Sequence, residues 1–289
     1  MKADAYKYNQ RFDPKVEAVQ WYFGSRSFDF YIQGVRILKN ALKPYGVEVS
    51  GAKDGDFIPA GTPALTFTFE GDNRFFGGML ENEIYHSLWY RSTVYTLLIQ
   101  AKEHLEKNGF SPRPAPKIRR GCATPEQADI AEQMFEQVFF DPNIRDGKVA
   151  DHANILINGE TFAFDNHNAV MIDTHDEAEA VKKLHYNVIL IDSGDMEAKA
   201  RKYYKETDAH ICLLDTVTRE NWFSIVESLS ELEQKHRIGF SIGSEVFQKV
   251  SRDDLDLIYK PCARKIGGVW EGISKQSTGK ETLSGFQGV

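Results

Sequence analysis

The residues best suited to chemistry are acids standing where apolar runs stop. Asp173 follows Ala169-Val170-Met171-Ile172, Asp192 follows Val188-Ile189-Leu190-Ile191, Asp215 closes the run from Ala209, and Gly243-Ser244 closes the run from Ile238. A carboxylate in such a place can cap the following helix by accepting its free N–H groups. Several at successive strand ends favour one shared polar cleft, because the carboxyl ends of parallel strands form the ligand face of barrels and open sheets. Ser193-Gly194 beside Asp192 permits close backbone approach to a ligand. The Gly-rich run ending at Gly243 and Ser244 offers either a phosphate cradle of backbone N–H groups or an ordinary turn.

Cations stand close by in sequence. Arg120, in Arg119-Arg120-Gly121, presents the planar fork that fits phosphates and carboxylates. Arg252, Lys260, Lys265, Lys275 and Lys280 follow the Gly-rich run, although lysines more often form a solvated surface. An acidic cleft flanked by cations suits a sugar diphosphate with its Mg²⁺.

Other chemistries lack their signatures. No HExxH, Walker or Gly-x-Gly-x-x-Gly pattern occurs, and no metal site is expected. His152, His167 and His175 flank the strands near the ligand face, while His86 and His104 lie on a long helical pattern. The three cysteines, Cys122, Cys212 and Cys262, form neither a disulfide framework nor a zinc motif. A net charge of −7 argues against nonspecific nucleic-acid binding. No apolar run suits a signal peptide or a membrane span, so a cytoplasmic protein with no membrane partner is expected.

The elements that position these residues follow two grammars. Phe30, Ile32, Val35, Leu38 and Leu42 predict a helix within 28–43, ended by Pro44 and Gly46. Leu65, Phe67 and Phe69 alternate as a half-buried strand, and 78–107 reads as one long helix or two joined ones. The Pro-rich run Ser111–Pro116 is the expected boundary. Beyond it, Thr124-Pro125-Glu126 opens a capped helix, and Asn158-Gly159 signals a hairpin. From 169 onward short apolar runs alternate with helices, which is α/β grammar with a parallel sheet. The expected domains are an α+β domain over 1–116, rejoined by the tail near 265–289, and a βα barrel-like domain over 117–264.

Along nearly its whole length the chain resembles the nicotinamide and nicotinate phosphoribosyltransferases. Asp4-Ala5-Tyr6-Lys7 is similar to the family's Asp-Ser-Tyr-Lys, and Tyr22-Phe23-Gly24-Ser25-Arg26 to its Tyr-Phe-x-x-Arg. Ile58-Pro59-Ala60-Gly61 resembles its Ile-Pro-x-Gly turn, Leu80-Glu81-Asn82-Glu83 the helix that follows, and Arg120-Gly121 its Arg-Gly. Asp173-Thr174-His175-Asp176 resembles Asp-Thr/Ser-Tyr-Asp, Asp192-Ser193-Gly194-Asp195 resembles Asp-Ser-Gly-Asp/Asn, and Gln248–Asp253 resembles Gln-Lys-Leu-Thr-Arg-Asp.

The resemblance implies an irregular or incomplete (β/α) barrel of the type II phosphoribosyltransferase kind plus a smaller α+β domain. It implies transfer of 5-phosphoribose from 5-phosphoribosyl 1-pyrophosphate with Mg²⁺ to a pyridine base, and leaves ATP coupling open. The implied catalytic residues are Asp192, Asp215 and Arg120. Substrate binding is implied for Tyr6, Arg26, Asp173, Gly243, Ser244, Arg252, Lys260, Lys275 and Lys280. A homodimer is implied, because Tyr6, Arg26 and Arg252 serve the neighbouring subunit's site in the family. The chain departs from the pattern at Lys117, where the family has Phe, and at Leu190, where it has Arg. The second reading is therefore a catalytically degenerate scaffold or ligand-binding subunit.

Overall fold

The structure is a computed structural model that describes residues 14–111, 115–117, 122–139, 154–157, 160–163, 169–172, 188–191, 194–213, 218–243 and 250–272. In chain order its first elements are β1 (Val16–Ser25), β2 (Phe30–Tyr31), α1 (Val35–Leu42), β3 (Glu48–Gly51), β4 (Phe57–Ile58), β5 (Pro63–Glu70) and α2 (Glu81–Lys107). They are followed by β6 (Ala115–Lys117), α3 (Pro125–Phe139), β7 (Asn154–Ile157), β8 (Glu160–Ala163), β9 (Ala169–Ile172) and β10 (Val188–Ile191). The last are α4 (Met196–Glu206), β11 (His210–Leu213), α5 (Arg219–Leu229), β12 (Ile238–Gly243), β13 (Leu257–Ile266) and β14 (Val269–Gly272). The chain divides into two units, Met1–Thr96 with Val250–Val289, and Leu97–Lys249.

The first unit is built on the antiparallel sheet β14-β13-β1-β5-β3. Valines and aromatics in β1 suit a central, pleated position, and Trp21 and Phe23 enter the core with Leu65, Phe67 and Phe69 of β5. Val35, Leu38 and Leu42 of α1 and Ile84 and Leu88 of α2 join the same core. Trp21 stacks on Tyr259 with ring centroids 4.7 Å apart, and Phe67 meets Tyr259 edge-on at 5.4 Å. The β1–β13 ladder shifts register where Trp21 faces Pro261 and Gln20 faces Ala263. Pro261 has no N–H to donate, so a bulge is where a strand can hold it.

In the second unit β9, β10, β11, β12 and β6 form a parallel sheet in the order β6-β12-β11-β10-β9. Val188–Ile191 are all buried, as expected for a strand covered on both faces. Phe240 packs edge-on against Phe110 and Trp222, whose Nε1 donates to the Ser241 carbonyl at 2.9 Å. The β7–β8 pair is antiparallel, with Ile157 opposite Glu160 around the Asn158-Gly159 position. Among the described residues no helix is long and apolar enough to cross a membrane.

One expectation is revised. The helix expected within 28–43 begins only at Val35, and Phe30 and Tyr31 instead pair with Ile58 and Phe57. Gly34 is the reason: at φ 94 it turns the chain in the left-handed region, and Asp54 Oδ1 then accepts the Val35 N–H at 2.7 Å. Residues 97–116 fall in the second unit, where β6 pairs with β12, and 250–264 in the first, where β13 pairs with β1. Residues 173–187 and 273–289 lie outside the described residues.

Candidate functional site

Three segments that are distant in sequence meet at one end of the first unit's sheet. Arg26 directly follows β1, and its Nη2 and Nε donate to Asp256 Oδ1 at 2.7 and 3.2 Å. Ser27 Oγ donates to Asp256 Oδ2 at 2.9 Å, and the Arg26 N–H donates to the Asp256 carbonyl at 3.3 Å. Burial pushes the Asp256 carboxyl up, but the hydrogen bonds from Arg26 and Ser27 and the Arg26 charge outweigh it. The carboxyl therefore titrates below its ordinary value.

The Ile58–Thr62 turn closes on the same loop. The Gly61 N–H donates to the Ser25 carbonyl at 2.9 Å, and the Ala60 N–H to Asp29 Oδ1 at 2.7 Å. A β-carbon at Gly24 would lie 2.8 Å from the Thr62 carbonyl oxygen, so glycine lets the two segments approach. The third segment is the 3-10 turn Arg252–Leu255. The Ser251 N–H donates to Asp254 Oδ2 at 2.7 Å, and Ser25 Oγ donates to the Leu255 carbonyl at 2.6 Å. Lys260, half-buried on β13, faces Tyr22 across the ladder. It lies three residues beyond the Ser25–Leu257 pair, or ~10 Å along the strands.

Of the predicted site residues, this brings together Arg26 and the backbone of the Arg252–Leu255 turn, with Lys260 farther along β13. In the second unit Ile172, Ile191 and Leu213 end level with one another across β9, β10 and β11, and Gly243 ends β12 opposite Lys117. Tyr6, Arg120, Asp173, Asp192, Asp215, Ser244, Lys275 and Lys280 lie outside the described residues. Asp195 takes the capping role, its Oδ1 accepting the Ala198 N–H at 2.9 Å at the start of α4. Gly194 beside it has φ 72, where glycine is favoured. Leu190 is buried in β10, in line with Met171 and Cys212. Among the described residues no group of three His, Cys, Asp or Glu side chains is placed to hold a metal ion.

Sequence reasoning missed Asp256, Ser27 and Asp29. Asp256 follows Arg252 by four residues in an acidic run, but nothing local ties it to a position 230 residues earlier.

No family model matches the chain. No curated protein matches it in sequence. Its backbone is similar to nicotinate-nucleotide pyrophosphorylase from Pyrococcus furiosus, with a TM-score of 0.62 and 15% identity over 97% of this chain and 78% of that one. The Francisella tularensis nicotinate-nucleotide pyrophosphorylase gives 0.54 and 10%, over 90% of both chains. Human nicotinic acid phosphoribosyltransferase gives 0.52 and 12%, over 95% of this chain and 77% of that one. An antiparallel sheet joined by its last strands, followed in sequence by an inserted parallel βα series, is thus the type II phosphoribosyltransferase fold.

Proposed function

We propose that this protein transfers 5-phosphoribose from 5-phosphoribosyl 1-pyrophosphate to nicotinamide, nicotinate or a related base. The C1–O bond to pyrophosphate breaks, and the ring nitrogen of the base forms the new C1–N bond. Mg²⁺ arrives with the pyrophosphate as part of the substrate. Arg26, Arg252, Lys260, Lys275 and Lys280 bind phosphate groups, and Tyr6 meets the base. Arg120, Asp173, Asp192, Asp215, Gly243 and Ser244 hold the ribose and its phosphates. Catalysis by this set rests on positioning and charge stabilisation rather than on a protein nucleophile. A cytoplasmic homodimer with shared sites belongs to the same proposal.

The observation that carries the reading is the meeting of Arg26 with the end of the Arg252–Leu255 turn at one sheet end, within a fold whose solved examples include named phosphoribosyltransferases. The test is incubation with 5-phosphoribosyl 1-pyrophosphate, Mg²⁺ and each pyridine base, with mononucleotide followed by chromatography. Product from at least one base is expected. No product, together with no calorimetric binding of the sugar pyrophosphate, would overturn the reading.

A second reading, a ligand-binding subunit without turnover, is favoured by the buried Leu190, an apolar side chain where the resembling family carries Arg. It predicts binding of the sugar pyrophosphate with no mononucleotide formed.

A further inference from the structure

We propose that Asp256 is a positioning residue for a phosphate-bearing ligand, holding Arg26 by Nε and Nη2 so that Nη1 is left for the anion. The inference rests on the phosphoribosyltransferase reading above and adds to it a residue that the sequence did not single out.

The pairing is over-determined for an ion pair at the surface. Arg26 keeps 44% of its side chain exposed and Asp256 27%, and exposed pairs of this kind contribute little to stability. Yet both oxygens of Asp256 are engaged, Oδ1 by two donors of Arg26 and Oδ2 by Ser27, so the carboxylate cannot swing. The Asp256 carbonyl also accepts the Arg26 N–H, while its own N–H donates to the Asp253 carbonyl at 3.2 Å. Asp256 has φ 44, making it the one non-glycine with positive φ among the described residues. Strain of this kind persists where surrounding contacts hold it, and it gathers at binding sites.

The donor geometry explains the use. An Arg fork carries five N–H donors, and Nε and Nη2 share one carboxylate oxygen here. Nη1 makes no hydrogen bond among the described residues. Without Asp256, Arg26 must be ordered at the moment of binding, which weakens affinity. The Asp256 charge itself opposes an incoming anion, so orientation and charge act in opposite directions and can be separated by substitution.

The test is calorimetric titration of 5-phosphoribosyl 1-pyrophosphate with Mg²⁺ into the wild type, Arg26→Ala, Asp256→Ala, Asp256→Asn and the Arg26→Ala/Asp256→Ala double variant. Arg26→Ala should weaken binding by roughly 10- to 100-fold, and Asp256→Ala by about 10-fold. The double variant should bind no more weakly than Arg26→Ala alone, since Asp256 acts through Arg26. Asp256→Asn keeps an acceptor oxygen and loses the charge, so it should stay within about 3-fold of wild type. Wild-type affinity in Asp256→Ala, no effect of Arg26→Ala in a binding wild type, or losses that multiply in the double variant would each overturn the proposal. Should Asp256→Ala fail to fold, Ser27→Ala replaces it, with a two- to fourfold loss expected and wild-type binding overturning the idea (on the order of half a hydrogen bond's contribution). A wild type that binds no sugar pyrophosphate sinks the phosphoribosyltransferase reading itself. Loss in Arg26→Ala with Asp256→Ala intact sinks the role of Asp256 alone.

Discussion

A β-carbon placed on Gly34 would lie 2.2 Å from the carbonyl oxygen of Ser87, so the turn before α1 and the side of α2 touch backbone to backbone. The nearby Gln33 N–H donates to Ser92 Oγ at 3.0 Å and the Tyr31 N–H to Thr96 Oγ1 at 2.9 Å, which pins the same segment along α2. Gly34→Ala must relieve that clash and also bear a φ of 94. A loss of roughly 2–4 kcal/mol is expected. Urea unfolding followed by circular dichroism measures it, and a loss below about 0.5 kcal/mol would refute the packing described.

Asp256 gives a pH dependence with a definite sign. Its carboxyl is held below its ordinary value in the folded chain, so the stability it adds is present above the unfolded value of about 3.9. That stability is lost as pH falls through the lower, folded value. The melting-temperature difference between wild type and Asp256→Asn should therefore be constant near neutrality and shrink in acid below about pH 4. A difference that grows on acidification would contradict the pairing with Arg26.

The thiols should react unequally. Burial pushes the Cys262 thiol up to about 12, and its Sγ donates to the Gln20 carbonyl at 3.4 Å. Cys212 is buried in β11, while Cys122 is half-exposed. At pH 8 a disulfide reagent should label Cys122 in the folded protein and reach the other two only after denaturation. Fast labelling of Cys262 under native conditions would show that the β1–β13 ladder opens there.

Arg237 is a buried cation whose fork closes the α4–β11 connection. It donates to the Thr207 carbonyl, to Ala209 O at 3.1 and 3.3 Å and to Gln234 Oε1 at 3.0 Å, and it lies over the Tyr204 ring at 5.0 Å. Arg237→Ala leaves those carbonyls without their donor and removes the guanidinium that lies over the Tyr204 ring. A loss of about 3 kcal/mol is expected in chemical denaturation. Arg237→Lys should recover only part of it, because a point charge cannot serve the fork geometry.

The parallel half of the fold was legible because its strands are buried on both faces, so Val188–Ile191 reads as an unbroken apolar run. Thr124 and Pro125 were legible as a helix start because capping is local, and the Gln127 N–H does donate to Thr124 Oγ1 at 3.2 Å. Phe30 and Ile32 misled because their spacing fits a helix, whereas the left-handed turn at Gly34 is imposed by its approach to Ser87, 53 positions away. Of the candidate site, Arg26, Arg252 and Lys260 were reached through resemblance. The approach of Arg26 to the end of the Arg252–Leu255 turn was not legible, since the pairing of β1 with β13 and the Arg26–Asp256 bond join residues remote in sequence. Asp195 shows the reverse case, an acid in the singled-out motif whose observed task is a helix cap.

The register of β1 with β13 has a consequence for biosynthesis. Ser25 finds Leu257 opposite it, and the whole of Leu97–Lys249 is encoded in between. A nascent chain therefore exposes the full length of the second unit before the strand that borders β1 has been made. The second unit can begin to fold on the ribosome, whereas β1 must wait, paired on its β5 side alone, with an open edge that invites association with other chains. Chains truncated before residue 257 should accordingly aggregate through that edge, while addition of β13 satisfies it.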